Sequence, residues 1–256
     1  MPFTLSHPIA VWPLWRLSQK RLDLAALSVG AMVPDISYFL ALRPVGNVGH
    51  SLAGIFLEGI PSGLALLVIG RYLLWRPMLM LMPRAIGSRL PVPSSRYSFL
   101  PLSRVFNIVA SIGIGALTHI LWDSFTHARG WGVEQFGVLS REVGISPVVV
   151  PMYKWLQYGG GVVGLAIILG LITVSLQAME PHRQQSQLST PWVVAAWAFI
   201  LCATMMTVAG ALFPVLNTGS LSALVVGAVI GCVSGFFVGC CLYAAVFWAY
   251  RAFSQG

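Results

Sequence analysis

"FNIVASIGIGALTHILWDSFTH", residues 106–127, decides the fold. Up to Thr118 the stretch is almost wholly apolar, and a helix of about 20 such residues crosses a hydrocarbon layer about 30 Å thick. It then ends on His119, Asp123 and His127 at four-residue spacing. On a helix, positions i and i+4 share a face and i+8 drifts only modestly from it, so the three side chains point toward one pocket. That is the geometry of metal ligands or of a buried hydrogen-bonded cluster.

The rest of the chain supplies the membrane context. Of its 256 residues 57% are hydrophobic and 9% charged, against roughly 25% charged in an ordinary soluble domain, and the mean hydropathy is +0.82. Apolar runs predict spanning helices near 22–42, 51–75, 106–126, 156–178, 191–213 and 221–250, behind a shorter apolar segment at 6–17. The expected fold is therefore all-α: a polytopic transmembrane helix bundle of about six spans with a short N-terminal helical arm. It reads as a single domain, with residues 1–178 as the chemistry-bearing core and 179–256 as two further transmembrane helices completing the bundle. Pro61 and Gly63 predict a kink in the second span. The start, "MPFTLSHPIAVWPLW", has neither a charged leader nor a small-residue cleavage site and does not read as a cleaved signal peptide.

The net charge of +8 sits in short connections rather than in one patch. It reports topology and anionic lipid headgroups rather than nucleic acid, so the expected partners are membrane lipids. Residues 76–105 hold Arg76, Arg84, Arg89, Arg96 and Arg104 with no acid, which predicts a cytoplasmic loop. With that loop inside, eleven of the fifteen Lys and Arg residues lie on its side, leaving Arg43, Arg129, Arg141 and Lys154 outside. His50, His119, Asp123 and His127 then fall near extracytoplasmic helix ends.

Two aspartates stand within apolar runs, Asp35 in "GAMVPDISYFL" and Asp123. Each costs about 2.5–3.5 kcal/mol on insertion scales and needs a partner. A hairpin turning at Ser18–Arg21 places His7 roughly 16 Å from the turn and Asp35 roughly 20 Å from it, at about 1.5 Å per residue, so the two can meet. His50 opens the next helix in "VGHSL", and four of the five histidines gather on one side, His182 being in the polar loop "EPHRQQSQ". Neutral imidazoles with carboxylates suit zinc or a similar first-row ion, which can make a bound water nucleophilic and offsets the burial of two carboxylates.

Other residues read more simply. Glu58 is a buried acid, a further ligand or a partner for Arg71 or a backbone group; Arg129, Glu134, Arg141 and Glu142 belong to a solvated loop. "YKWLQY", 153–158, is an interfacial anchor. Cys202, Cys232, Cys240 and Cys241 lack a C-x-x-C spacing and read as packing residues. Gly227, Gly231, Gly235 and Gly239 clear one face of the last helix for close helix packing, including packing between copies in an oligomer.

"MPFTLSHP", "GAMVPD", "GHSL", "GALTHILWDSFTH" and "YKWLQYGGGVVGL" together resemble the bacterial membrane family called domain of unknown function 4184, over residues 1 to about 178. That resemblance implies no activity. More distantly, the order is similar to inner-membrane metal-dependent hydrolases and to the zinc-dependent phospholipase C and P1-nuclease group, which hydrolyse phosphoesters. That likeness implies His7, Asp35, His50, His119 and Asp123 as metal ligands, His127 as ligand of a further ion, and a bacterial inner-membrane setting. The group's downstream His-x3-Glu pair has no counterpart after His127, which implies one or two zinc ions rather than three. The expectation is a membrane-embedded phosphoester hydrolase for lipid or lipid-linked substrates, with Asp35 or Asp123 as base or ion bridge. The rival readings are an ion or small-solute transporter and an accessory subunit whose polar cluster locks helices together.

Overall fold

The computed structural model describes residues 4–45, 48–90, 101–145, 148–181 and 188–254. Arg96, His182 and Arg183 lie outside the described residues. Six helical segments are long and apolar enough to cross a membrane: Leu24–Ala41, Leu52–Leu81, Leu102–Gln135, Met152–Ala178, Thr190–Thr218 and Leu221–Ser254. The protein is an all-α, multi-pass membrane protein, and these are called the first to sixth spans below. The arm is the helix Pro8–Leu17, started by a proline whose missing N–H is not needed at that position.

By contact density the described fold divides into two compact units that do not follow chain order. One comprises residues 1–36, 46–64 and 99–172; the other comprises 37–45, 65–98 and 173–256.

In the first unit the chain reverses between arm and first span at Ser18–Arg21, as the hairpin requires. Gln19 and Lys20 both take left-handed backbone (φ 54° and 64°). Asp23 then caps the first span by accepting from the Ala26 N–H at 2.9 Å. Its own N–H donates to Asn107 Oδ1 and Ser111 Oγ, each at 3.1 Å, which ties the turn to the third span. Further along, the first span is interrupted: helix Leu24–Gly30 gives way to a 3-10 turn, Val33–Asp35, before resuming at Ile36–Ala41. Pro34 has no N–H to continue the ladder. The Asp35 N–H turns to the Met32 carbonyl at 3.3 Å, so the Ala31 carbonyl loses its helical partner.

First and third spans cross with backbones nearly touching. A Cβ on Gly115 would lie 2.2 Å from the Leu27 carbonyl oxygen, and one on Gly30 would lie 2.2 Å from that of Ile112. Buried Val11, Leu27 and Ala31 surround this crossing, with Ile114 against them. In the second span, π-helical turns occupy Ile55–Gly59 and Ile69–Leu74. The first of these, closed by Ile60 N–H on the Ile55 carbonyl, precedes Pro61 and absorbs the bond that proline cannot make.

Two expectations are corrected here. The second span does not end near 75 but runs to Leu81, because the segment Trp75–Leu81 buries Pro77, Leu79 and Leu81, while the Arg76 guanidinium lies over the Trp248 ring. A short helix, Arg84–Gly87, follows. Between the third and fourth spans, Glu142–Ile145 and Val148–Pro151 form an antiparallel hairpin that the helical reading did not include. Its Val143 carbonyl accepts from Trp155 Nε1 at 2.9 Å, so this residue of "YKWLQY" anchors the loop as well.

In the second unit, the fifth and sixth spans pack along the glycine face. A Cβ on Gly231 would stand 2.7 Å from Val208 Cα, and one on Gly235 would stand 2.7 Å from Thr204 Cα. The face that the glycine spacing clears for close helix packing is thus packed against the chain's own Thr190–Leu212 helix. Ser234 also donates to the Phe39 carbonyl at 2.8 Å, and Trp248 Nε1 to that of Leu73 at 3.0 Å.

Candidate metal centre

Five of the six anticipated residues converge in the first unit. His7 is brought in by the arm, Asp35 by the 3-10 turn, and His50 by the turn before the second span. His119 and Asp123 come from successive turns of the third span. His7, Asp35, His119 and Asp123 are all buried, Asp35 completely.

Asp123 holds the centre of the cluster. Its Oδ1 lies 3.3 Å from His7 Nε2, while its Oδ2 lies 3.4 Å from His50 Nε2 and 3.3 Å from His119 Nε2. Asp35 Oδ1 faces His50 Nε2 at 3.2 Å and His119 Nε2 at 3.7 Å. The His7 and His119 rings stack with centroids 4.0 Å apart. His7 therefore reaches the same cluster as Asp35 but bonds Asp123, whereas the residue from the N-terminal segment that bonds Asp35 is Thr4, whose hydroxyl donates to Oδ2. Among the described residues, the ionic partners of both aspartates are all histidines.

Protons on His119 are set by the broken first span. Its Nδ1 lies 2.8 Å from the Ala31 carbonyl, the one freed where the Asp35 N–H turns to Met32. A carbonyl only accepts, so Nδ1 carries a proton, and in the neutral ring Nε2 is a bare lone pair. That lone pair and Asp35 Oδ1, another acceptor, are both buried without a hydrogen-bond partner. Two buried acceptors facing each other are unfavourable unless a cation or an added proton lies between them.

The spacings fit an ion better than direct hydrogen bonds. Charge-assisted N–H···O contacts run at about 2.7–2.9 Å. Ligands about 2.0–2.2 Å from one tetrahedral ion stand roughly 3.3–3.6 Å from each other. The contacts of His50 and His119 with Asp35 and Asp123, at 3.2–3.7 Å, fall around the second range. Two sets of donors lie within 4.8 Å of one another, His7–His119–Asp123 and Asp35–His50–His119. At His50, outside the spans, burial disfavours the charged ring, yet the carboxylates of Asp123 and Asp35 beside it outweigh burial and push its pKa up to about 9. Carboxylates thus draw a positive charge onto this spot.

His127 borders the cluster without joining either set. Its Nδ1 lies 3.1 Å from the Asp123 backbone carbonyl, and its Nε2 accepts from the Gln157 amide at 2.9 Å. Gln157 in turn accepts from Lys154 Nζ at 2.8 Å. Neither Thr4 nor Gln157 was singled out from the sequence. Glu58 is half-buried and outside both donor sets, and Arg129, Glu134, Arg141 and Glu142 are exposed.

The fold and the cluster together define a class, the polytopic membrane proteins with a buried histidine and aspartate centre. Within it the chain belongs to the family described as Domain of unknown function (DUF4184), which matches residues 1–245 and so extends past residue 178 through most of the sixth span. No curated protein and no solved structure matches the chain.

Proposed function

We propose that the protein is a membrane-embedded, metal-dependent hydrolase of phosphoesters, acting on lipid or lipid-linked molecules. Asp35, His50 and His119 would hold the first zinc ion and leave its fourth position open to water, and His7 with Asp123 would supply donors for a second. The observation that carries this reading is the pair of facing, unpartnered acceptors, His119 Nε2 and Asp35 Oδ1. Zinc in such a nitrogen and oxygen donor set makes a water nucleophilic at neutral pH and polarises a phosphoryl oxygen. The choice of phosphoesters rests on the residue order described above and is an analogy.

The chain's own residues have separable tasks. Asp35, tied by Thr4 and fully buried, orients donors. Asp123 Oδ2 faces His50 and His119, which leaves Oδ1 toward His7 and suits this carboxylate to receive a proton. In hydrolysis the water oxygen bonds phosphorus, the bond from phosphorus to the alcohol oxygen breaks, and the proton taken from water ends on the leaving alcohol. With only the first ion bound, His7 Nε2, 3.3 Å from Oδ1, is free of metal and placed to pass it. The arginine distribution supports a centre toward the extracytoplasmic side, and the bacterial inner-membrane setting rests on the family resemblance.

Elemental mass spectrometry on detergent-purified protein tests the reading, beside turnover of a fluorogenic phosphodiester. Near-stoichiometric zinc that is lost in His119→Ala, with turnover stopped by chelator and restored by zinc, is the expected result. Folded wild type without metal or turnover would sink it. His119 would then be an imidazolium donating to both Ala31 and Asp123, and the cluster a lock between helices. Thr4→Val probes the support around Asp35: an outer hydrogen bond of this kind is worth about 10–100-fold in metal affinity, and zinc competition with a chromogenic chelator should show a loss of that order.

A further inference from the structure

Beside the cluster lies a groove of about 260 Å³, lined by Ile9 of the arm, Trp122 of the third span and Val163 and Ile167 of the fourth. His7 is the one ionisable side chain in its lining. We infer that this groove holds a single hydrocarbon chain of an amphiphilic phosphoester drawn from the membrane, with the phosphoester end at His7 and Asp123. The inference rests on the hydrolase reading and deepens it by assigning where the substrate's chain lies.

Three observations carry it. First, the groove is set among membrane-spanning segments, and Val163 and Ile167 are about half exposed there, so the medium that meets them is hydrocarbon. An apolar groove in that position takes an alkyl chain rather than a polar solute. Second, the groove and the cluster share the His7 ring, which lines the one and bonds Asp123 at 3.3 Å in the other. A chain in the groove therefore brings its attached headgroup to within one imidazole of the central carboxylate.

Third, the size suits one chain. A cavity of about 150 Å³ takes one benzene, so about 260 Å³ has room for a stretch of a single alkyl chain. Gly160 and Gly164 keep the wall low. A Cβ at Gly160 would stand 2.7 Å from the Trp122 ring, and one at Gly164 would stand 3.2 Å from Ile9 and Ser6. Larger residues there would push out the side chains that shape the groove.

The test uses the full chain, loaded with zinc and reconstituted in phosphatidylcholine vesicles. The probe is dodecyl phosphate carrying a diazirine near the end of its chain. After irradiation, adducts mapped by peptide mass spectrometry are expected on Trp122, Val163 or Ile167. Labelling there should fall at least fivefold in Val163→Trp and in Ile167→Trp, two half-exposed positions where a larger side chain fills the groove without entering a packed backbone. Zinc content should be unchanged in both variants. Adducts spread evenly over the lipid-facing helices, or groove labelling unaltered in both variants, overturn the inference.

Because labelling needs no turnover, the two readings fail separately. If zinc binds and a short-chain phosphodiester is hydrolysed while the groove is not labelled, the chain site alone is wrong. If the groove is labelled in protein that neither binds zinc nor turns over, the hydrocarbon site stands and the hydrolase reading falls.

Discussion

In Asp123→Asn protein, bound zinc falls to background and phosphodiester turnover falls more than about 100-fold, since even outer hydrogen-bond partners of metal ligands are worth about 10–100-fold. Asp123 touches three imidazoles with its two oxygens, at 3.3 to 3.4 Å. An asparagine keeps the volume but removes the charge, and it turns an NH2 group toward at least one histidine nitrogen. The remaining carboxylate, Asp35, cannot compensate, because Thr4 already occupies its second oxygen. His127→Gln is the informative contrast. Both ring nitrogens of His127 are engaged elsewhere, by Gln157 and by the Asp123 backbone, so zinc stays bound in that variant. Elemental analysis of the two proteins in parallel checks this. Equal zinc in wild type and Asp123→Asn would remove Asp123 from the centre.

Gly115→Val prevents assembly of the first unit. Its Cβ would lie 2.2 Å from the Leu27 carbonyl and 2.7 Å from the Ala31 nitrogen, contacts that only a backbone shift relieves. Overpacking of this kind costs about 1–3 kcal/mol, and more when main chain must move. The damage also reaches the chemistry, since separating the first and third spans withdraws the Ala31 carbonyl from His119 Nδ1, now at 2.8 Å. Gly113→Ala, two residues away on the same helix, meets nothing within 4 Å and should behave as wild type. Size-exclusion profiles and thermal unfolding in detergent decide the matter: a monodisperse Gly115→Val protein with wild-type stability would mean that the close crossing is dispensable.

Much of this was legible in the sequence, for a physical reason. Spanning helices announce themselves by uninterrupted apolar length, and Asp35 and Asp123 stand out because charge inside such a run is expensive. Thr4 and Gln157 gave no such signal, being neutral residues at the edge of apolar segments. Thr4 becomes meaningful only when a hairpin folds it onto Asp35, 31 residues away. The glycine crossing was invisible for a different reason. Gly30 and Gly115 lie on separate helices and belong to no four-residue glycine run, whereas the regular run from Gly227 to Gly239 was easy to see. Periodicity revealed that a face was cleared but not which helix would fill it.

Helix ends were the least readable feature. Arg76 and Pro77 look like the start of a loop, yet burial of the apolar face of Trp75–Leu81 extends the second span past both. Conversely, the importance of Pro34 was half visible. A proline in an apolar run predicts a break, but the use made of the released carbonyl, fixing which nitrogen of His119 is protonated, depends on a partner from 88 residues further along the chain.

The arm also imposes an order on biosynthesis. His7 leaves the ribosome 116 residues ahead of its hydrogen-bond partner, Asp123. The ten-residue helix that carries His7 is too short to cross the bilayer and be fixed by insertion. It can take its final seat only after the third span has arrived. A segment translated ahead of the first span is therefore seated only after the third, and the centre stays open to water or lipid until the third span has been threaded in.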